Sequence, residues 1–159
     1  MIEATPGGST ANSYVTIEAA EAYFAGRVGA EAWMNATADQ KERALITAAR
    51  GLERLRWPGV KSNAGQALSW PRIGAHGVED DAIPTAIRDA QCEEALALLT
   101  PEVVRRRQLR AAGVTDVGLN DVRERYAPVG AEGLLSAEAR ALLMGWVALG
   151  GCLVSDRIS

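Results

Sequence analysis

Apolar residues recur at helical spacing in four stretches of the chain, each opened by a residue suited to start a helix. Thr16 is a good N-cap, and Ile17, Ala20, Tyr23 and Phe24 then share one face, predicting a helix over 17–27 that ends near Gly26. Thr37-Ala38-Asp39-Gln40 has capping-box form, a Thr followed three residues later by Gln. Behind it Leu45, Ala48, Leu52 and Leu55 form an apolar stripe, with Lys41, Glu42, Arg50 and Glu53 around the rest of the helix. This amphipathic helix is expected to run to about Arg56, where Trp57-Pro58-Gly59 stops it: Pro58 lacks a backbone donor and biases Trp57 away from helical angles. Pro84 suits the first turn of a third helix, which presents Ile83, Ile87 and Ala90 and then drifts to Cys92, Ala95, Leu96 and Leu99. Pro101 ends that helix or starts the next segment. The fourth stretch follows Ser136, with Leu135, Ala139, Leu142, Trp146 and Leu149 as its stripe, Leu143 and Val147 widening it, and Gly150-Gly151 closing it.

Between these stretches the pattern changes. Residues 58–82 show little helical periodicity and hold two corners, Trp57-Pro58 and Trp70-Pro71, so a long ordered loop with at most a short strand is expected there. In residues 102–127, Val103-Val104 and the run Val117 to Val122 read as strands, with Gly113 marking a turn between them. A β-hairpin or extended arm is the preferred reading, with a helix over 102–111 as the rival. The expected fold is thus mainly α: a small bundle of about four helices, a long ordered loop and a hairpin or arm. Residues 1–13, small and polar around Gly7-Gly8-Ser9-Thr10, read as a flexible lead-in, 14–150 as one domain and 151–159 as a tail.

Length and composition agree with one globular domain. A chain of 159 residues buries roughly two-thirds of its unfolded surface and needs no disulfide or metal to fold. Hydrophobic residues make up 48% and charged residues 23%. No signal peptide opens the chain and no apolar run is long enough to span a bilayer, so a soluble protein made in the cytoplasm, with no membrane partner, is expected. Cys92 and Cys152 fit no metal-ligand spacing and read as free thiols.

Charge and side-chain inventory narrow the chemistry. A net charge of −3 and a pI near 5.3 give no general affinity for nucleic acid, so a DNA role requires a local patch. Arg105, Arg106, Arg107 and Arg110 are the one basic concentration, able to meet phosphate or an acidic partner; Glu102, Asp116 and Asp121 nearby also allow a mixed-charge face. His76 is the only histidine, in a Gly-containing loop, and no Gly-x-Ser-x-Gly elbow surrounds a serine. Gly113 and Gly118 are too sparse to cradle phosphate, and Glu79-Asp80-Asp81 lacks the spacing of a calcium loop. The expectation is a protein with no catalytic set, no cofactor and no metal. Tryptophans can stack on unpaired bases, but Trp57 and Trp70 beside prolines and Trp146 on an apolar stripe fit core anchoring better, and Trp33 fits either.

One set of residues resembles a known family. Leu68-Ser69-Trp70-Pro71-Arg72-Ile73-Gly74-Ala75, together with Ser13-Tyr14-Val15, Trp33, Trp57-Pro58-Gly59 and Ile83-Pro84, resembles a tailed-phage family often labelled DnaT-like single-stranded DNA-binding protein; the likeness runs roughly from residue 12 to 125. The resemblance implies a head–tail connector, or adaptor, in the virion neck, made in the host cytoplasm. Such subunits form a ring, usually twelve-fold, below the portal. Their implied partners are copies of the same chain, the portal protein, tail or neck proteins, and genomic DNA passing through the channel without sequence recognition. In this reading Trp57, Pro58, Trp70, Pro71 and Arg72 fix the loop between helices, with Arg72 bridging to a carboxylate either inside the subunit or on its neighbour. Leu142, Leu143, Trp146 and Val147 are the candidate ring interface, although a core within the subunit explains them more simply. The alternative takes the label literally: a phage single-stranded DNA-binding, replication-linked protein using Arg105, Arg106, Arg107 and Arg110 with exposed tryptophans. A small binding module of another kind is neither supported nor excluded by the residues.

Overall fold

The computed structural model describes residues 1–75, 77–112, 116–119, 122–125 and 133–147. The described residues form six helices and two small antiparallel ribbons, a mainly helical fold with a hairpin, as the sequence predicts. Helix α1, Ile17–Ala25, starts where Thr16 accepts a hydrogen bond from Ala19 N and ends at Gly26. A single-turn helix, α2, Glu31–Met34, follows. Helix α3, Ala38–Leu52, opens with the full capping box: Thr37 accepts from Gln40 N, and Gln40 Oε1 accepts from Thr37 N. It stops four residues short of the expected Arg56, in a turn over Glu53–Leu55 that precedes Trp57-Pro58.

The long loop holds β1, Val60–Lys61, against β2, Arg72–Ile73, with Val60 opposite Ile73. The Trp70–Pro71 peptide bond is cis. Gly59 takes φ +72°, and a Cβ there would lie 2.2 Å from the Ile73 carbonyl oxygen, so this close crossing of the two loop arms admits only glycine. Helix α4, Thr85–Leu99, and helix α5, Pro101–Ala111, come next. A hairpin of β3, Asp116–Leu119, and β4, Val122–Arg125, pairs Leu119 with Val122 and Asp116 with Arg125. The rival reading is therefore right for 102–111 and the preferred one for the hairpin. Val103 and Val104 are helical because Pro101 starts a helix whose other residues favour that state, against their own β preference. Val117 and Val122, taken as parts of one strand, lie on the two strands of the hairpin. Gly113, placed at a turn, lies outside the described residues. Helix α6, Ala137–Leu142, is capped by Ser136 as expected but is only six residues long before the chain turns at 143–147; Leu149 and Gly150-Gly151 lie outside the described residues.

Helix α4 is the axis of the bundle, packing against α1, α2, α3, α5 and α6. Every residue from Gln91 to Ala97 is buried, which explains why its apolar stripe drifts: a helix covered on all sides has no polar face to keep. Three of those buried residues are polar, and each is satisfied by a different neighbour. Gln91 accepts from Tyr14 N at 2.8 Å and donates to Ser13 Oγ at 2.7 Å and to the Leu45 carbonyl at 2.9 Å. Glu93 accepts from Tyr23 Oη at 2.7 Å and pairs with Arg27. Glu94 accepts the backbone N–H groups of Leu135 at 2.9 Å and Ser136 at 2.8 Å.

Two apolar clusters sit along α4. In the first, Phe24 stacks on Trp33 with centroids 4.5 Å apart, and both pack with Leu45, Ala48, Cys92 and Leu96. In the second, Leu52, Trp57, Trp70, Ile87, Leu134 and Leu143 pack together. Because Leu45 and Ala48 meet the C-terminal half of α4 while Leu52 meets Ile87 and Ala90, α3 and α4 run antiparallel. The N-terminal segment is tied by hydrogen bonds of its own, with Asn12 N and Ser13 N both donating to the Glu3 carbonyl. No helix among the described residues is long and apolar enough to cross a membrane.

Candidate nucleic-acid interface

The chain leaves α4 through a sharp corner. Thr100 is extended (φ −92°, ψ 108°), and its Oγ1 donates to the Leu96 carbonyl at 2.8 Å, ending α4. Val103 N and Val104 N then donate to the Thr100 carbonyl, and Pro101, lacking a donor, fits the first turn of α5. This corner sets α5 against the C-terminal end of α4, with Val103, Val104 and Leu109 half-buried.

Arg105, Arg106 and Arg107 are exposed. Successive helical residues are separated by about 100°, so these three side chains fan over roughly 200° of the helix rather than sharing one face. Arg105 and Arg107 have no ion-pair or hydrogen-bond partner among the described residues. Arg110 lies one turn beyond Arg106 on the same helix. Further along the chain, β4 carries Arg123 and Arg125 at alternate positions, opposite Gly118 and Asp116. Residues 101–125 thus contain six arginines against four carboxylates in a chain of net charge −3.

The other candidate residues are structural. Arg72 is buried, and among the described residues no carboxylate meets it, contrary to the expectation of a bridge inside the subunit. Its guanidinium instead donates to the carbonyls of Pro58 at 2.6 Å, Gly59 at 2.6 Å, Ser69 at 3.0 Å and Trp57 at 3.4 Å, clasping the two loop arms. The nearby carboxylate, Glu53, is committed to Tyr14 Oη and to Ser69 N and Oγ. Trp57 and Trp70 meet edge to face at 5.7 Å, and Trp70 meets Trp146 at 5.9 Å. Leu143 is 2% exposed, and Leu142, Trp146 and Val147 pack half-buried on the same cluster, so the face offered as a ring interface lies against the subunit's own core. Trp33 is fully buried, Trp57 and Trp70 are also inside, and Trp146 is half-buried against Trp70, so no fully exposed tryptophan is offered for base stacking. His76 lies outside the described residues.

No group of three or more His, Cys, Asp and Glu side chains able to hold a metal occurs among the described residues. An open groove of about 370 Å³ between the N-terminal segment and the approach to α4 is lined by Pro6, Tyr14, Thr16, Ile83 and the charged residues Asp81 and Arg88. Burial, with a smaller contribution from Asp89 and Glu93, pushes the Cys92 thiol up to about 12, away from reactivity. Burial beside Glu53 likewise raises the Tyr14 hydroxyl far above its ordinary value.

These features define a small helical domain that carries exposed arginines on a helix at one end of the bundle. The model of the family described as "Putative DnaT-like ssDNA binding protein" matches residues 1–156, and the chain belongs to that family. No curated protein and no solved structure matches it. The match overturns the connector expectation: it is to a DnaT-like family, and with it go the twelve-fold ring, the portal, tail and neck partners, the role in DNA packaging and the place in the virion neck. Of the expected partners, DNA is the one the family description supports.

Proposed function

We propose that the chain is a non-catalytic single-stranded DNA-binding protein of the DnaT-like kind, gripping the phosphate backbone with α5. The observation that carries this reading is the fan of exposed arginines, Arg105, Arg106 and Arg107, on a helix held along one flank by α4. An unpaired strand is flexible enough to curve around it and meet Arg105 and Arg107 together. The acidic remainder of the chain keeps the attraction local, and the family description points to the same ligand. With tryptophans buried, affinity comes from phosphate neutralisation and counterion release, and little base preference is expected. Such a protein acts where replication exposes unpaired DNA.

The test is fluorescence anisotropy with a labelled oligothymidine of about 30 nucleotides and the matching duplex, over a range of salt concentrations. The expected result is tighter binding of the single strand, with log K falling by roughly 0.7 per phosphate contacted for each unit of log salt. Arg105→Gln with Arg107→Gln should weaken binding about tenfold or more. Absence of single-strand binding near 150 mM salt, or an unchanged affinity in the double variant, rejects the proposal.

A further inference from the structure

Beyond α5, the positive charge left over on α3 is concentrated at one end. Asp39 is held by Arg43, Glu42 by the N-terminal amino group, and Lys41 by Glu21 at 2.7 Å. Glu53 is turned to Tyr14 and Ser69, and Lys61 donates to the carbonyls of Gln66 and Ala67. Every carboxylate from Asp39 to Glu53 is therefore committed, and Arg50, Arg54 and Arg56 are exposed with no partner among the described residues. Arg50 lies in the last turn of α3, and Arg54 lies one turn further on, its N–H donating to the Gly51 carbonyl. Arg50 also complements the negative end of the helix dipole. That effect fades within a turn and does not account for Arg54 and Arg56, which lie beyond the helix.

We propose that this end of α3, through Arg50, Arg54 and Arg56, is a second phosphate-contacting surface for single-stranded DNA; the proposal rests on the single-strand reading above and extends it to a part of the fold remote from α5. Because α3 runs antiparallel to α4, its C-terminus lies beside the start of α4, whereas α5 leaves from the other end. The two arginine groups are thus separated by about the length of α4, fifteen residues or roughly 22 Å at 1.5 Å per residue. At 3.4 Å per stacked nucleotide that separation is on the order of seven nucleotides. A strand long enough to touch both groups gains contacts that a short one lacks.

The experiment compares the full chain with Arg50→Gln/Arg54→Gln/Arg56→Gln, using oligothymidines of about 5 and about 30 nucleotides, with circular dichroism to establish that both proteins fold alike. These side chains are exposed, so their removal takes nothing from the core. Arg43→Gln, exposed on the same helix but paired with Asp39, controls for a general change of charge. The triple variant should bind the long oligonucleotide at least tenfold more weakly, with a salt slope shallower by about 2 for three lost contacts, and Arg43→Gln should change affinity less than twofold. A triple variant that binds the long strand like wild type, while the Arg105 and Arg107 variant is weakened, overturns this proposal alone and gives the patch to an acidic protein surface. An equal loss with Arg43→Gln also overturns it, as a general field effect. Failure of the wild-type protein to bind any single strand overturns both proposals.

Discussion

Glu94, at the middle of α4, accepts the backbone N–H of Ser136 at 2.8 Å and so closes the N-terminus of α6, forty-two residues away along the chain. Its other oxygen takes Leu135 N at 2.9 Å, while Ser136 Oγ accepts from Ala139 N at 3.1 Å. The first turn of α6 thereby finds acceptors for donors that a helix leaves unpaired, and the negative charge sits at the favourable end of the helix dipole. Glu94→Ala removes both long-range acceptors and leaves two N–H groups stranded in a buried setting. The expected cost is about 1–3 kcal/mol, with Glu94→Gln in between, since one amide oxygen remains. Hydrogen exchange decides the matter: amides of α6 should exchange faster in the variant while those of α1 stay protected. Equal exchange in α6 would show that apolar packing alone seats the helix.

Arg72 makes a comparable prediction for the loop. A single guanidinium reaches carbonyls on both arms because its donors are splayed in a rigid plane. Lysine has one nitrogen and cannot bridge the same set. Arg72→Lys should lower stability by about 2 kcal/mol, and Arg72→Ala by more, because the carbonyls of Pro58, Ser69 and Gly59 lose their shared donor. A urea midpoint in Arg72→Lys equal to wild type would mean that solvent satisfies those carbonyls.

Cys92 provides a check on the first cluster. It is 1% exposed, and burial lifts its thiol from an ordinary 9.0 to about 12, so the folded protein holds the proton more firmly than the unfolded chain does. Stability from this group is complete below about pH 9 and is lost as pH rises toward 12. At pH 8 the thiolate is scarce, and iodoacetamide should label the Cys92 peptide slowly in the native protein and rapidly in denaturant, as read by mass spectrometry. Rapid native labelling would show that the packing of Phe24, Trp33 and Leu96 around it opens readily.

Local signals were legible in the sequence and tertiary ones were not. Thr16, the Thr37–Gln40 box and Ser136 mark helix starts because a cap depends on residues within one turn, and all three accept the hydrogen bonds their positions predict. The six-residue length of α6 is a different matter, since Leu142 and Leu143 suit a longer helix and a turn equally well. The burial of Gln91, Glu93 and Glu94 has no local signal; only the drift of the neighbouring apolar stripe hinted that α4 is covered all round. Arg72 carried a charge that called for a carboxylate, and backbone carbonyls exposed by a loop crossing answered it instead. For the interface, the arginine run on α5 is visible as text. That Arg50, Arg54 and Arg56 are left over is not, because it depends on where Glu53, Glu42 and Asp39 find their partners. The tryptophan–proline corners, read as core anchors that fix the loop, hold the chain's second cluster together.

Those buried tryptophans separate an electrostatic grip from a stacking one. Trp33 is 0%, Trp70 1% and Trp57 9% exposed, and the half-buried Trp146 leans on Trp70. A base that stacks on an indole strongly quenches its emission, as expected where aromatic platforms provide a large share of single-strand affinity. Here no fully exposed indole is available among the described residues, and α5 contributes no aromatic side chain. Titrating the protein with oligothymidine to saturation, judged in parallel by anisotropy, should therefore leave tryptophan emission within about a tenth of its starting intensity, although binding itself is complete. The same titration in rising salt should release the strand without any change in emission. Strong quenching that follows the binding curve would mean that Trp146 or a rearranged core meets the bases, and the arginine fan on α5 would no longer suffice to explain how the strand is held.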